Sequence, residues 1–252
     1  MTRSTFRRAA LALMAAPLAL GLAACGDKTE TPAATSGEPI AKIAPPAGQS
    51  WAEKIVKTPE GGYRMGNPDA PIKLIEFGAL TCSHCAEFAK ESFEPLRDNY
   101  VASGRVSYEL RLFMLNAYDV PAAMLATCGS TEAVIPLSEQ FWAWQPEMFA
   151  KLQAAGEAQL QAAGSLPPAQ RFGALAELGG MTEFFASRGI AKDQAAACLA
   201  DTAKATALAN ETQAAAEKYN VSGTPTFFIN GESTGTADWH TLEPKLQAAG
   251  AR

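Results

Sequence analysis

The pattern of apolar and polar residues along this chain predicts the order of its first strands and helices. Residues 72–77 are nearly all apolar, which is typical of a central strand covered on both faces. Residues 105–113 alternate between apolar and polar and predict a second strand. Between the two strands we expect a helix from about residue 82 to near residue 104, with a kink at Pro95.

The rest of the folded chain divides into a helical block and a short β-containing end. Residues 119–219 are rich in alanine, are broken by proline and glycine, and contain no convincing strand. Residues 226–230 predict a strand with a hairpin turn after it, and residues 238–249 predict a last helix. With an edge strand or hairpin at residues 51–65, the order is β-α-β, about 100 helical residues, then β-β-α. This order predicts an α/β fold.

The N-terminus has the pattern of an export signal. Three arginines precede residues 9–24, an uncharged apolar run of about 16 residues, whereas a membrane-spanning helix needs about 20. A basic start, a short apolar run and small residues at its end are typical of a secretory signal. We therefore expect residues 1–24 to be a signal peptide.

The end of that apolar run resembles the lipobox of bacterial lipoproteins. The sequence there is Leu22-Ala23-Ala24-Cys25, and a polar stretch follows at once. The resemblance implies cleavage before Cys25 and acylation of its thiol, so that lipid would anchor the protein to a membrane. The alternatives are a plain signal peptide with a chance cysteine, or an uncleaved anchor.

Composition distinguishes a tether from a folded domain and argues against nucleic acid as a partner. Residues 25–50 are rich in Thr, Pro, Ala, Ser and Gly, which predicts a disordered tether before a domain at residues 51–252. Without residues 1–24, 18 basic residues face 26 acidic ones, a net charge of −8. This balance argues against nucleic acid, whose binding needs a basic surface.

The candidate chemistry lies at Cys82-Ser83-His84-Cys85. A Cys-x-x-Cys motif is commonly a redox pair or half of a zinc site. Zinc usually needs two further ligands at similar spacing. The other cysteines of the domain are isolated and His240 is the only other histidine, so we expect no metal site and no cofactor. The motif follows a buried strand and opens a helix, which favours a redox pair.

The position of the motif gives the two cysteines different roles. A thiolate at a helix N-terminus meets unpaired backbone N–H groups, which lower its pKa. Cys82 would be the accessible nucleophile, and Cys85, one turn into the helix, would be the shielded resolving thiol. His84 could favour the Cys82 thiolate through its imidazole, which would make the oxidised pair a stronger oxidant. The alternative for His84 is an exposed spacer.

Glu76 is the only charged residue besides Lys73 in the predicted central strand. A buried carboxylate is costly unless it is paired or neutral. Six residues before Cys82, it could accept or relay the proton of Cys85 during exchange. Alternatively, Glu76 points to an edge of the sheet or pairs with a lysine such as Lys73 or Lys218.

These residues together resemble the DsbA-like branch of the thioredoxin superfamily. The resemblance rests on the strand–Cys82-Ser83-His84-Cys85–helix unit, the later Gly223-Thr224-Pro225-Thr226, and the helical block between them. It covers residues 65–249 and implies a thioredoxin fold with a helical insertion at about 119–219. It also implies a cis peptide bond before Pro225, with Thr224 offering backbone groups to an extended substrate. The best-known oxidants of the family carry Pro-His where this chain has Ser-His.

The resemblance implies a function and partners. We expect a periplasmic, monomeric dithiol oxidase that acts on reduced or misoxidised exported proteins and is recharged by a membrane-bound thiol oxidase. Some relatives carry a second disulfide in the insertion, so Cys128 and Cys198 are expected to pair, the alternative being two separate buried cysteines. Alternative functions are a disulfide reductase or isomerase, and a copper metallochaperone that uses Cys82 and Cys85.

Overall fold

The computed structural model describes residues 37–252, and their elements follow the predicted order. Residues 1–24 and Cys25, the predicted signal peptide and lipidation site, lie outside the described residues. The strands of the described part are β1 (Ile55–Lys57), β2 (Tyr63–Gly66), β3 (Ile72–Gly78), β4 (Val106–Leu112), β5 (Thr226–Ile229) and β6 (Glu232–Gly235). Its helices are α1 (Ser83–Pro95), α2 (Asp119–Ala126), α3 (Val134–Ala155), α4 (Glu157–Gly164), α5 (Pro168–Leu178), α6 (Met181–Ala186), α7 (Lys192–Ala200), α8 (Thr202–Tyr219) and α9 (Trp239–Ala248).

The six strands form one mixed sheet in the order β1-β2-β4-β3-β5-β6. β3 runs parallel to β4 and antiparallel to β5, so it lies in the middle of the sheet as its apolar pattern predicted. Ile72 and Leu74 are almost completely buried. The register places Glu76 of β3 between Leu110 of β4 and Phe227 of β5, so this carboxyl group belongs to the interior of the sheet.

The helix that follows β3 begins where the sequence predicts and changes its geometry at the predicted proline. Cys82 is the N-cap residue, with an extended backbone, and α1 runs from Ser83 to Pro95. A π-helical segment, Leu96–Val101, then continues the helix toward β4. A proline in a helix removes one backbone donor and crowds the preceding turn, so a change of helical geometry at Pro95 is the expected response.

Helices α2 to α8 fill the interval between β4 and β5, and no strand interrupts them in this part of the described chain. The longest of them, α3, buries Phe141 and Trp142 in the core. The indole Nε1 of Trp142 donates a hydrogen bond of 2.9 Å to the carbonyl oxygen of Ala79. This contact joins the helical insertion directly to the end of β3.

The structure corrects the prediction of a disordered tether for residues 37–50. The backbone N–H of Gly37 donates to Ala248 O at 2.7 Å, and that of Ile40 donates to Gly250 O at 2.9 Å. Ile43 accepts a 2.8 Å hydrogen bond from the indole of Trp51. These residues form a strap along the domain. The backbone N–H groups of the strap pair with carbonyl oxygens at the end of α9, and Ile40 packs on the core. The Pro- and Ala-rich composition of the strap does not reveal such pairing.

Cys128 and Cys198 form a disulfide that joins the end of α2 to α7. Their Cα atoms lie 6.0 Å apart, and 70 residues separate them in sequence. The bond therefore closes a loop that contains most of the helical insertion.

Replacing both cysteines, as Cys128→Ala/Cys198→Ala, is expected to lower the free energy of unfolding by about 4 kcal/mol. Opening a loop of this length restores chain entropy to the unfolded state, and the chain-entropy relation gives that value. Urea unfolding measures the change in a Cys82→Ser/Cys85→Ser background, where no other described cysteine can pair. Equal stability with and without the bond would contradict the prediction.

Candidate active site

The two cysteines of the motif lie where β3 passes into α1. Cys82 caps the helix and is 7% exposed, whereas Cys85, in the first turn, is completely buried. Both thiols are unbonded in the structure, which therefore describes the reduced pair. Cys82 is the more accessible sulfur, in agreement with the order of roles that the sequence suggests.

The surroundings of Cys82 favour its thiolate. Its pKa is lowered from 9.0 to about 5. The largest cause is a hydrogen bond from the Cys85 thiol, which outweighs the opposing effect of burial. The Thr224 side chain and the backbone N–H groups of Cys85 and His84 lower the pKa further. At neutral pH the reduced protein therefore carries a thiolate at Cys82.

Cys85 has the opposite electrostatic character. Burial raises its pKa well above 9.0, and the hydrogen bond to Cys82 and the charge of Glu76 raise it further. The proton of this thiol is thus held firmly, while that of Cys82 is lost easily. The two sulfurs are coupled, because the proton on one stabilises the negative charge on the other.

The structure corrects the expected role of the His84 imidazole. Its side chain is 77% exposed, and Nδ1 lies 3.8 Å from Oε2 of Glu87, one helical turn further on. Among the described residues, no hydrogen bond links the ring to either thiol. His84 acts on the pKa of Cys82 through its backbone N–H, which points along the helix axis toward the sulfur. The side chain itself corresponds to the exposed-spacer alternative.

Glu76 is completely buried, and its partner is a tyrosine rather than a lysine. The hydroxyl of Tyr108 donates a 2.7 Å hydrogen bond to Oε2, while Oε1 has no hydrogen-bond partner among the described residues. Burial raises the pKa of Glu76 from 4.5 to about 8, and the nearby Cys82 thiolate raises it too, although the Tyr108 hydrogen bond lowers it. Lys73 and Lys218, the suggested partners, are both exposed. Glu76 is therefore a carboxyl group that holds a proton at neutral pH.

The segment before β5 completes the site on the other side of Cys82. The peptide bond between Thr224 and Pro225 is cis. The Thr224 carbonyl oxygen lies 3.2 Å from Cys82 Sγ and accepts a hydrogen bond from that thiol when it is protonated. Pairing of β5 with β3 fixes this segment beside the cysteines. The structure thus brings Cys82, Cys85, Glu76, Thr224 and Pro225 together.

Three residues of the helical insertion hold the loop of residues 79–82, and the sequence analysis did not identify them. Trp142 donates to Ala79 O, as described above. Gln145, one turn later on α3, donates from Nε2 to Leu80 O at 2.8 Å and to Cys82 O at 3.1 Å. Asp119 at the start of α2 accepts hydrogen bonds from the backbone N–H and the hydroxyl of Thr81, at 2.8 and 2.9 Å. The available signal in the sequence is the spacing of Trp142 and Gln145, which are three residues apart and therefore share one helix face that can contact the loop.

Within residues 37–252, no group of three or more His, Cys, Asp or Glu side chains is arranged to hold a metal ion. No helix in this range has the length and apolarity that crossing a membrane requires.

Comparison with known proteins gives consistent similarities. A family model described as thioredoxin matches residues 58–248. The chain is 23% identical over 222 residues to a protein of Rickettsia conorii named as a protein-disulfide oxidoreductase. The aligned region covers 82% of this chain and 70% of that protein. Its structure is similar to that of a protein-disulfide isomerase from Novosphingobium aromaticivorans, with a TM-score of 0.71, 35% identity, and coverage of 75% of this chain and 96% of that one. It is also similar in fold to alpha-DsbA1 of Wolbachia pipientis, with a TM-score of 0.61, 21% identity, and coverage of 80% and 98%.

A Glu76→Gln variant is expected to stabilise the reduced protein at pH 7 by about 3 kcal/mol more than at pH 4. The folded pKa of about 8 lies above the ordinary 4.5. Protonated Glu76 therefore supports the folded state fully only below pH 4.5, and this support is lost as the pH rises toward 8. Glutamine does not ionise and has no such loss. Urea unfolding at the two pH values measures the difference.

Glu91→Gln supplies the control, because Glu91 is an exposed carboxylate of α1. Its effect should be the same at both pH values. If Glu76→Gln also behaved identically at pH 4 and pH 7, the buried, protonated carboxyl would be excluded.

Proposed function

The chain belongs to the thioredoxin superfamily as a DsbA-like thiol:disulfide oxidoreductase with a helical insertion, and we propose that it is a dithiol oxidase for exported proteins. The observation that carries the proposal is the low pKa of Cys82, about 5. A stabilised thiolate favours the reduced form of the pair, so the disulfide form accepts electrons readily. An oxidoreductase with this preference introduces disulfides into its substrates.

The reaction would proceed through a mixed disulfide on Cys82. In the oxidised protein, a substrate thiolate attacks Cys82 Sγ, a new S–S bond forms, and the Cys82–Cys85 bond breaks with its electron pair on Cys85. Cys85 then takes a proton, which Glu76 is placed to give. A second substrate thiolate attacks the substrate sulfur of the mixed disulfide and releases Cys82 as a thiolate. The substrate has lost two electrons and the protein has gained them.

We assign substrate binding to Thr224 and Pro225. Backbone groups at a cis-proline segment beside the reactive sulfur can pair with an extended peptide, as an added strand does. A cavity of about 440 Å³ adjoins Pro225 and is lined on its other side by residues of α1 and α9, including His84 and His240. This cavity gives room for the side chains that flank a substrate cysteine.

The proposed partners follow from the direction of electron flow. The substrates are reduced or misoxidised exported proteins, and the reduced pair must pass its two electrons to an acceptor. A membrane-bound thiol oxidase would be that acceptor, and the protein would work as a monomer. Isomerisation is the second candidate, because the similar structure from Novosphingobium aromaticivorans carries the name of an isomerase.

We also propose that the protein is a periplasmic lipoprotein anchored through Cys25. The support is the sequence Leu22-Ala23-Ala24-Cys25 after a basic start and a short apolar run. A lipid at this residue would keep the catalytic domain close to a membrane-bound partner.

Metabolic labelling with a radioactive fatty acid tests the anchor. The full-length protein is expected to take up label and to sediment with membranes, and Cys25→Ala is expected to do neither. Cys128→Ala/Cys198→Ala, which keeps Cys25, is the matched control and should be labelled fully. Equal labelling of the Cys25→Ala variant would overturn the assignment.

The reduction potential of the Cys82–Cys85 pair tests the oxidase proposal. Equilibration with glutathione buffers is expected to give a value nearer to about −120 mV, the region of strong oxidants, than to about −270 mV, the region of thioredoxin. A value near −270 mV would refute an oxidase. The Cys82→Ser variant should fail to oxidise a reduced protein, whereas Cys128→Ala/Cys198→Ala should retain the activity. Faster repair of scrambled disulfides than oxidation of reduced thiols would favour the isomerase.

A further inference from the structure

A second carboxyl group, Glu139, lies on the face of α3 that packs toward the cysteine pair. Ile135, four residues earlier, and Trp142, three residues later, are both buried, and side chains at these spacings share one helix face. Glu139 itself is only half-buried. Its carboxyl group therefore lies on the inner face of α3 but retains contact with solvent.

Trp142 brings this face of α3 to the buried end of β3. Its indole donates to Ala79 O, as described above. If Gly78 carried a Cβ atom, that atom would lie 2.9 Å from Glu76 Oε1 and 3.2 Å from Cζ2 of Trp142. Glu76 and the Trp142 ring thus approach the same point next to Gly78. The oxygen of Glu76 on this side is Oε1, the one that has no hydrogen-bond partner among the described residues.

A groove of about 1000 Å³ lies between α1 and α3. Glu139 and Trp142 line it from α3, and Ala86, Ala89 and Phe93 line it from α1. Glu139 therefore faces the groove beside Trp142, whose ring approaches the unpaired oxygen of Glu76 at Gly78.

The two carboxyl groups influence each other. Burial raises the pKa of Glu139 well above 4.5, and the charge of Glu76 raises it further. Glu139 in turn raises the pKa of Tyr108, the partner of Glu76. The charge of each carboxyl group opposes ionisation of the other, so the two groups compete for protons. The other charged groups that line the groove are Glu87, Lys90 and Glu94 of α1 and Arg97 of the π-helical segment after it.

We propose that Glu139 is a proton-relay residue that acts through Glu76 and exchanges the proton of Cys85 with solvent in the groove. When Cys85 leaves as a thiolate, Glu76 protonates it and becomes a carboxylate. Glu139 then gives its proton to Glu76 and regains one from water, and no electrons move in these transfers. The proposal rests on the proposed exchange at Cys82 and Cys85, but it holds for either direction of electron flow.

Single-turnover oxidation of a reduced dithiol peptide, followed from pH 5 to 9, tests the relay. Glu139→Gln keeps the size of the side chain but cannot pass a proton, so the rate at pH 7 is expected to fall about 100-fold, the lower end of the range for assisted proton transfer. The amount of peptide finally oxidised should not change. Small carboxylic acids added as buffer should restore part of the rate, and Glu139→Asp should restore most of it.

Glu147→Gln is the matched control, because Glu147 is an exposed glutamate on the same helix. It removes the same charge and should behave as the wild type. The carboxyl carbon of Glu139, followed by isotope-edited NMR, gives a second readout. Its pKa should fall in Glu76→Gln, because the charge of Glu76 raises it in the wild type, and should not change in Glu147→Gln.

Wild-type rates for Glu139→Gln at every pH would overturn the relay. An unchanged Glu139 titration in Glu76→Gln would overturn it as well, because the two carboxyl groups would then not interact. A slow variant that neither buffer acid nor Glu139→Asp rescues would also overturn it and leave Glu139 a structural residue. These outcomes are separate from failure of the proposed function, which would appear as an exchange reaction that survives Cys82→Ser.

Discussion

The loop of residues 79–82 imposes the constraint on which the site depends. It must end β3, cap α1 and hold the Cys82 sulfur 3.2 Å from the Thr224 carbonyl oxygen at the same time. Four residues cannot fix such a position through their own contacts, since their backbone groups face away from any regular hydrogen-bond ladder. Helices α2 and α3 supply the missing partners through Asp119, Trp142 and Gln145. The helical insertion is thus a support for the reactive loop.

The same arrangement explains how two chemically identical thiols acquire opposite properties. Cys82 meets backbone N–H groups at the start of a helix, while Cys85 points into the core beside a carboxyl group. Electrostatic stabilisation of one thiolate and desolvation of the other separate their pKa values in opposite directions. Glu76 keeps its proton for a similar reason, because burial raises its pKa more than the hydrogen bond from Tyr108 lowers it. The difference in acidity between the two thiols thus depends on the burial of Cys85 and on the hydrogen bonds that Cys82 accepts.

The sequence predicts much of the fold and of the site because those parts depend on local signals. The apolar run of β3 indicates a central strand, and the cysteine spacing at its end indicates a helix N-terminus. The position of Asp238, which accepts a hydrogen bond from Thr241 N, likewise predicts the start of α9.

What the sequence does not reveal depends on contacts between distant segments. Asp119 and Gln145 contact the loop across 38 and 65 residues of chain, and the only local signal is the three-residue spacing of Gln145 from Trp142. The strap at residues 37–50 escapes prediction because its order comes from backbone pairing with the end of α9. The prediction for the His84 imidazole depends only on the position of the residue in the motif. That position fixes the direction of the backbone but not that of the side chain.

With an anchor at Cys25, the strap would also limit how far the domain can reach from the membrane. It lies against the C-terminal end of α9, whereas Asp238 and Thr241 at the other end of this helix line the cavity beside Pro225. The chain therefore enters the domain about 15 Å, one length of α9, from the cavity proposed to receive substrates. Between the proposed anchor at Cys25 and Gly37 only 11 residues remain, which reach at most about 40 Å when fully extended. A protein held this way would meet its partners only within a shallow layer of the periplasm, so nearness to the membrane would select its clients as much as their sequence does.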